Sequence, residues 1–255
     1  MKNNEIISKQ NCYLCLFCGK TYISLPPNGT CFHCKQKRMK YINLEIRDPH
    51  KLLNLKISYL STLNNIRDGN LWFKSPKEFH DYSGEGSLVR KDDTDSKYSH
   101  VDEYVQTEDQ EIDNYRILCF YSLNINNKGQ FLQDPDIRIS DFGDYFSIID
   151  TEGLSKWLQD YLLSNGLKVS LFDRNVYYLL DKYTGPYSPF CKPQRDNYQY
   201  EYRFVLHSHD SVFNDIEPFK IQTLTGFKEF FSNPIEISYL FSTKNYDDLY
   251  SLIKW

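Results

Sequence analysis

Two groups of residues in this 255-residue chain have types and spacings that could do chemistry. The first is a set of cysteines near the N-terminus. Cys15-x2-Cys18 and Cys31-x2-Cys34 are two knuckles with twelve residues between them. Four thiolates at this spacing can close a tetrahedral zinc site on a β-hairpin. Gly19, directly after Cys18, tolerates the tight turn that aims backbone N–H groups at the sulfurs. Pro26-Pro27-Asn28-Gly29 supplies the turn between the knuckles. Cys12 extends the first knuckle to Cys12-x2-Cys15-x2-Cys18, so five cysteines compete for four places. Gly19 favours Cys15 and Cys18 and leaves Cys12 as a fifth thiol. His33, between two ligands, is expected to be a surface imidazole.

The second group is late in the chain. Gln199, Glu201 and Arg203 alternate with Tyr198, Tyr200, Tyr202 and Phe204. Alternation of this kind predicts a half-buried strand over Tyr198–His207, with Glu201 and Arg203 two apart on one face. A carboxylate so placed either forms a plain ion pair or works on a ligand in a cleft. Cys119, in an apolar run, reads as a buried thiol.

The elements that must position these groups follow from pattern and punctuation. Residues 1–45 read as the zinc ribbon, 46–57 as its link to a larger domain, and 50–255 as that domain. Strands are predicted at Ile57–Leu60, Leu71–Lys74, Ile117–Ser122, Tyr145–Ile149, Leu167–Phe172, Val176–Leu180 and Pro234–Phe241. Helices are predicted after Ser61 or Thr62 as far as Gly69, and from Thr151 to near Gly166. A short helix at Phe227–Phe231 and a last one capped by Thr243 complete the set. Residues 84–114 and 183–197 read as long loops. Short strands with a few helices and no repeating βα rhythm give an α+β class with a mixed or antiparallel sheet.

Composition narrows the partners. Hydrophobic residues make up 40% and charged residues 25%, which is ordinary for a chain with a real core. No run of 18 apolar residues and no secretory leader is present, so a cytoplasmic protein with no membrane partner is expected. Its seven cysteines then read as metal ligands or thiols. Residues 1–45 carry +5 and the remainder −9. Lys35, Lys37, Arg38 and Lys40 form a basic patch suited either to phosphates or simply to solvent. The negative larger domain is poorly suited to extensive nucleic-acid contact.

Several ordered motifs carry a resemblance. Ile57-Ser58-Tyr59-Leu60-Ser61, then Ile66 to Asp81, then Cys119-Phe120-Tyr121-Ser122, Phe190-Cys191-Lys192 and Tyr200-Glu201-Tyr202-Arg203 resemble the DUF2971 family over about residues 50–255. The usual Asn-Asp-Pro element is reduced to His80-Asp81-Tyr82, and the usual Trp-x-x-Tyr to Phe142-Gly143-Asp144-Tyr145. The layout is also similar to the ADP-ribosyltransferases, including nucleic-acid-modifying toxins. That resemblance implies an NAD-dependent ADP-ribosyltransferase fold and activity, with Glu201, Gln199 and Tyr59 catalytic. It implies NAD contacts at Tyr59, Ser61, Phe73, Phe79, Asp81, Tyr121, Ser122, Tyr145, Lys192 and Arg203. The tyrosines would stack on nicotinamide or adenine, Lys192 and Arg203 would hold the diphosphate, and Ser122 would support the glutamate strand. The acceptor implied is RNA or DNA, in a toxin–antitoxin or phage-defence setting with a possible antitoxin partner. NAD hydrolysis, or a non-enzymatic zinc-ribbon adaptor binding nucleic acid or protein, are the alternatives.

Overall fold

The structure is a computed structural model of the chain. It describes residues 6–15, 21–22, 25–31, 39–47, 51–76, 114–126, 128–179, 189–208, 213 and 217–252. Elements in chain order are β1 (Ile6–Cys15), β2 (Thr21–Tyr22), β3 (Met39–Arg47), β4 (Lys51–Ser58), α1 (Leu60–Arg67), β5 (Asn70–Phe73) and β6 (Tyr115–Ile125). Then come β7 (Tyr145–Ile149), α2 (Thr151–Ser164), β8 (Val169–Asn175), β9 (Tyr177–Leu179), β10 (Cys191–Pro193) and β11 (Glu201–Ser208). The chain closes with β12 (Phe219–Gln222), β13 (Ile235–Glu236), α3 (Ile237–Ser242) and α4 (Tyr246–Tyr250). The class is α+β, as expected.

The centre is a six-stranded sheet in the order β13-β7-β4-β6-β11-β8. Every neighbouring pair in it is antiparallel. Side chains alternate across such a sheet, so register decides which residues share a face. On one face Leu118 and Phe120 of β6 and Phe204 and Leu206 of β11 pack under α2. Helix α2 presents Leu154, Leu158 and Leu162, spaced at one helical turn, to that layer. The β5–β12 pair and Phe227, Phe230 and Phe231 complete this core.

The other face carries two separate apolar clusters. Leu53, Leu55, Tyr121, Leu123, Phe146 and Ile148 pack with Ile237, Leu240 and Leu249 of α3 and α4. Tyr115, Ile117, Phe190 and Val205 form the second cluster, together with Cys15 and Cys31 from the N-terminal hairpin. The positions between the clusters on β6 and β11 are where the charged residues lie.

Several predicted boundaries are corrected. Residues 46–57 are not a link: β3 continues to Arg47, paired with Ile6 of β1, and β4 begins at Lys51. Tyr198–His207 is not one strand. Residues 194–199 are a 3₁₀ turn and Tyr200 adopts φ 38°, so β11 starts only at Glu201. Pro234–Phe241 is a two-residue strand followed by a helix, because Ile237 and Leu240 bury together at helical spacing. Phe227–Phe231 is a turn rather than a helix. Helix caps also differ: Asp150 caps α2 by accepting from Gly153 N–H, and Asn245 caps α4 in place of Thr243. Neither Ser61 nor Thr62 caps α1, which starts after Tyr59. Among the described residues no helix is long and apolar enough to cross a membrane.

Candidate functional site

Strand β11 enters the sheet through a forced backbone. Tyr200 has φ 38°, a left-handed conformation that costs a bulky residue free energy unless its surroundings hold it. Its carbonyl accepts from Ser122 N–H at 2.7 Å and its N–H donates to Asn197 at 3.2 Å. This kink joins the 194–199 turn to β11, and Gln199 and Glu201 on its two sides meet the same lysine, Lys192.

Glu201 and Arg203 lie on the sheet face opposite α2, in register with Tyr121 and Cys119 of β6. Lys192 reaches them from β10. Its Nζ donates to Glu201 Oε1 at 2.6 Å and to Gln199 Oε1 at 2.7 Å. Arg203 Nε donates to Glu201 Oε2 at 2.6 Å, and Arg203 Nη1 donates to the Pro189 carbonyl at 2.6 Å. The Glu201 N–H donates to the phenol oxygen of Tyr178 at 2.9 Å. Gln199, Glu201, Lys192 and Arg203 are each at most 8% exposed, so this is an internal charge cluster.

Lysine can only donate, so Gln199 must turn its carbonyl oxygen to Lys192. Its amide nitrogen then faces the Tyr198 hydroxyl at 3.2 Å. The Arg138 guanidinium lies 3.7 Å from the centre of the Tyr198 ring and is itself paired with Asp136. A connected path thus runs from an exposed arginine to a buried carboxylate.

The electrostatics follow from burial against charge. Burial alone would raise the Glu201 carboxyl, but the Arg203 guanidinium and the Lys192 ammonium outweigh it and hold it below the usual carboxylate range. Glu201 is therefore ionised at neutral pH and a weak proton acceptor. It suits stabilising positive charge better than removing a proton. Burial pushes the Tyr121 and Tyr178 phenols up, and both stay protonated.

The structure gathers Gln199, Glu201, Lys192, Arg203 and Tyr121 on one face. Lys192 and Arg203 are occupied with Glu201 rather than displayed as a diphosphate pair. Other expected contacts are elsewhere. Ser122 is on the α2 face, where its hydroxyl donates to Asn54 Oδ1 at 2.7 Å and Asn54 donates to Thr151 at 2.9 Å. Phe73 is fully buried in the core beneath α2. Tyr145 pairs with Ser58 and Glu236 at the far side of β4, three strands from Glu201. Tyr59 precedes α1, half-buried, and Ser61 is exposed in its first turn. Phe79, His80 and Asp81 lie outside the described residues. Tyr178 and the Pro189 carbonyl are site groups that sequence reasoning missed. No spacing rule marks a phenol or a loop carbonyl that reaches across a fold.

Of the expected zinc ligands, Cys15 and Cys31 are fully buried and share one cluster. They are one cysteine from each knuckle, half of the expected ligand set. Cys18, Cys34 and His33 lie outside the described residues, as do Lys35, Lys37 and Arg38 of the basic patch. Cys12 occupies the β1 position opposite Ile42. Among the described residues no group of three or more potential ligands comes together. Comparison of the chain with protein families, curated proteins and solved structures finds no match.

Proposed function

We propose that this chain is an NAD-dependent ADP-ribosyltransferase of the toxin or phage-defence kind, acting on nucleic acid, with Glu201 at its centre. The observation that carries the reading is the buried, ionised Glu201 clamped by Lys192 beside Gln199, at the start of a strand entered through the strained Tyr200. Cleavage breaks the bond between ribose C1′ and the nicotinamide nitrogen, and nicotinamide leaves with the bonding pair. The ribose is then cationic, and a fixed carboxylate in a water-poor site stabilises that charge. A nucleophilic nitrogen or oxygen of RNA or DNA bonds to C1′ and passes its proton to solvent water, Glu201 being a weak acceptor. Gln199, whose carbonyl oxygen accepts from Lys192 and whose amide nitrogen donates to Tyr198, holds the lysine that clamps the carboxylate. The N-terminal hairpin, with zinc on Cys15, Cys18, Cys31 and Cys34, is read as the module that brings the acceptor through its lysines.

One observation favours a second reading. Both Glu201 oxygens are already engaged, as in a charge cluster that only holds a fold together. A non-enzymatic adaptor would need nothing more. Incubation with labelled NAD and separate pools of RNA, DNA and protein decides between the two. Label on nucleic acid, lost in Glu201→Gln, supports the transferase. Nicotinamide release without transfer points to hydrolysis by water. Neither release nor transfer leaves the adaptor.

A further inference from the structure

A strained residue such as Tyr200, at φ 38°, persists only where its surroundings fix it. Two of its neighbours lead to one 3₁₀ turn, Ile137–Phe142, and to Asp136 just before it. Tyr121 meets the Tyr200 ring edge to face, with centroids 6.0 Å apart. Burial pushes the Tyr121 phenol up, and the backbone N–H of Asp136 opposes that rise, which places Asp136 at the phenol oxygen. Tyr198, two residues before Tyr200, carries the Arg138 guanidinium 3.7 Å from its ring centre. Asp136 holds that arginine as well. Its Oδ1 accepts from the Arg138 backbone N–H at 3.0 Å and from Nε at 2.9 Å, and its Oδ2 accepts from Nη2 at 2.6 Å. Ile139, in the same turn, is fully buried in the apolar cluster that contains Tyr121, so the turn is rooted in the core. The Asp136 and Arg138 side chains themselves are 28% and 53% exposed.

We infer that Asp136 and Arg138 are positioning residues that brace the Tyr198–Tyr200 kink from outside and so hold Gln199 and Lys192 in place on Glu201. The inference deepens the reading of Glu201 as the working carboxylate, and rests on that reading only for its effect on activity. An exposed ion pair by itself adds little to stability. This one is forked at both carboxylate oxygens and stacked on a ring, which fixes the plane of the guanidinium. A fixed cation over one face of Tyr198 limits the swing of that ring. The Tyr198 hydroxyl then stays at the Gln199 amide nitrogen, and the Gln199 oxygen stays on Lys192. The same Lys192 Nζ serves Glu201, so its aim depends on both partners. Without the brace, Tyr198 is released, the 194–199 turn loosens, and Tyr200 relaxes from φ 38°. Its carbonyl then leaves the Ser122 N–H. The ladders of β11 to β6 and β8 do not depend on the brace, so the opening stays local.

The test is hydrogen exchange in the full chain, read at the Ser122 and Tyr200 amides, whose hydrogen bonds define the kink. Arg138→Ala is expected to speed exchange at both by about threefold, with α2 and the β5–β12 pair unchanged. The side-chain amide resonance of Gln199 should move in the same variant, because its nitrogen loses a fixed acceptor. Asp136→Ala is expected to match Arg138→Ala, and the double variant to be no worse than either, since the two act as one unit. Arg138→Lys keeps the charge without the planar fork and should recover part of the protection. Ile137→Ala, 66% exposed in the same turn, is the control and should change nothing. In nicotinamide release, Arg138→Ala is expected to lower kcat about threefold with KM for NAD unchanged. Unchanged exchange at Ser122 and Tyr200 in Arg138→Ala overturns the brace. Faster exchange in α2 as well overturns it too, because the loss is then global. Local loosening with kcat unchanged overturns the link to Glu201. Local loosening in a protein whose native chain releases no nicotinamide upholds the brace and removes the transferase reading instead.

Discussion

Arg203 sits two residues beyond Glu201 on the same face of β11, and its Nε meets Glu201 Oε2 at 2.6 Å. That spacing makes the pair intrinsic to the strand. The second cation does not come from the strand. Lys192 arrives from β10, and the Tyr200 kink brings Gln199 within its reach. The cluster therefore depends on three pieces of backbone holding together: β10, the 194–199 turn and β11.

Replacing Glu201 with Gln is predicted to destabilise the fold by about 3 kcal/mol, because two buried cations lose their counter-charge. Equilibrium urea unfolding reads the loss. Restoring stability by making all three cluster residues apolar, Lys192→Met, Glu201→Leu and Arg203→Met, is expected to leave nicotinamide release absent. Recovery of both stability and release would remove Glu201 from the chemistry.

Acid stability carries the same signature. Glu201 has a folded-state carboxyl value below that of the unfolded chain. A lowered value contributes stability that is fully present above the unfolded carboxylate range, about 4.3 for glutamate. The contribution fades as pH falls from there through the lower folded value. Urea midpoints followed from pH 7 downward should therefore fall more steeply below about pH 4 in the native chain than in Glu201→Gln. Parallel acid limbs would contradict the ion-paired state.

Parts of this arrangement were legible in the sequence, for identifiable reasons. Strand β7 is legible with its observed ends as a short, mostly apolar run, and α2 from apolar residues at helical spacing over fourteen residues. The shared face of Glu201 and Arg203 follows from period-two alternation. Ser122 shows where such reasoning fails. It adjoins Tyr121 in the chain, and one residue along a strand is the opposite face of the sheet. The kink at Tyr200 was hidden because four aromatic residues kept an unbroken alternation across a break in the backbone. Tyr178 reaches Glu201 only through the fold, and no local pattern announces that.

Tyr178→Phe removes one oxygen and leaves the Glu201 N–H buried without its acceptor. The expected cost is about 1 to 3 kcal/mol, the penalty of an unmade buried hydrogen bond. The ring itself stays, so the surrounding packing should survive. Thermal unfolding measures the loss, and exchange at the Glu201 amide localises it. An unchanged amide would show that the phenol is not its partner.

Gly143 offers a sharper geometric prediction. Its φ is 150°, and a Cβ built on it would lie 2.2 Å from the Ser58 carbonyl carbon. Ser58 pairs with Tyr145 at the end of β4, so any relief of that clash must part β7 from β4. Gly143→Ala is predicted to cost about 2 to 4 kcal/mol, combining backbone strain with overpacking. Gly166, after α2, has φ 64° and nothing within 4 Å of a built Cβ. Gly166→Ala should cost only about 1 kcal/mol, the conformational penalty alone. Comparing the two urea midpoints separates crowding from backbone preference. Equal losses would mean that the approach of residue 143 to Ser58 is looser in solution, and that the β4–β7 edge can yield without cost.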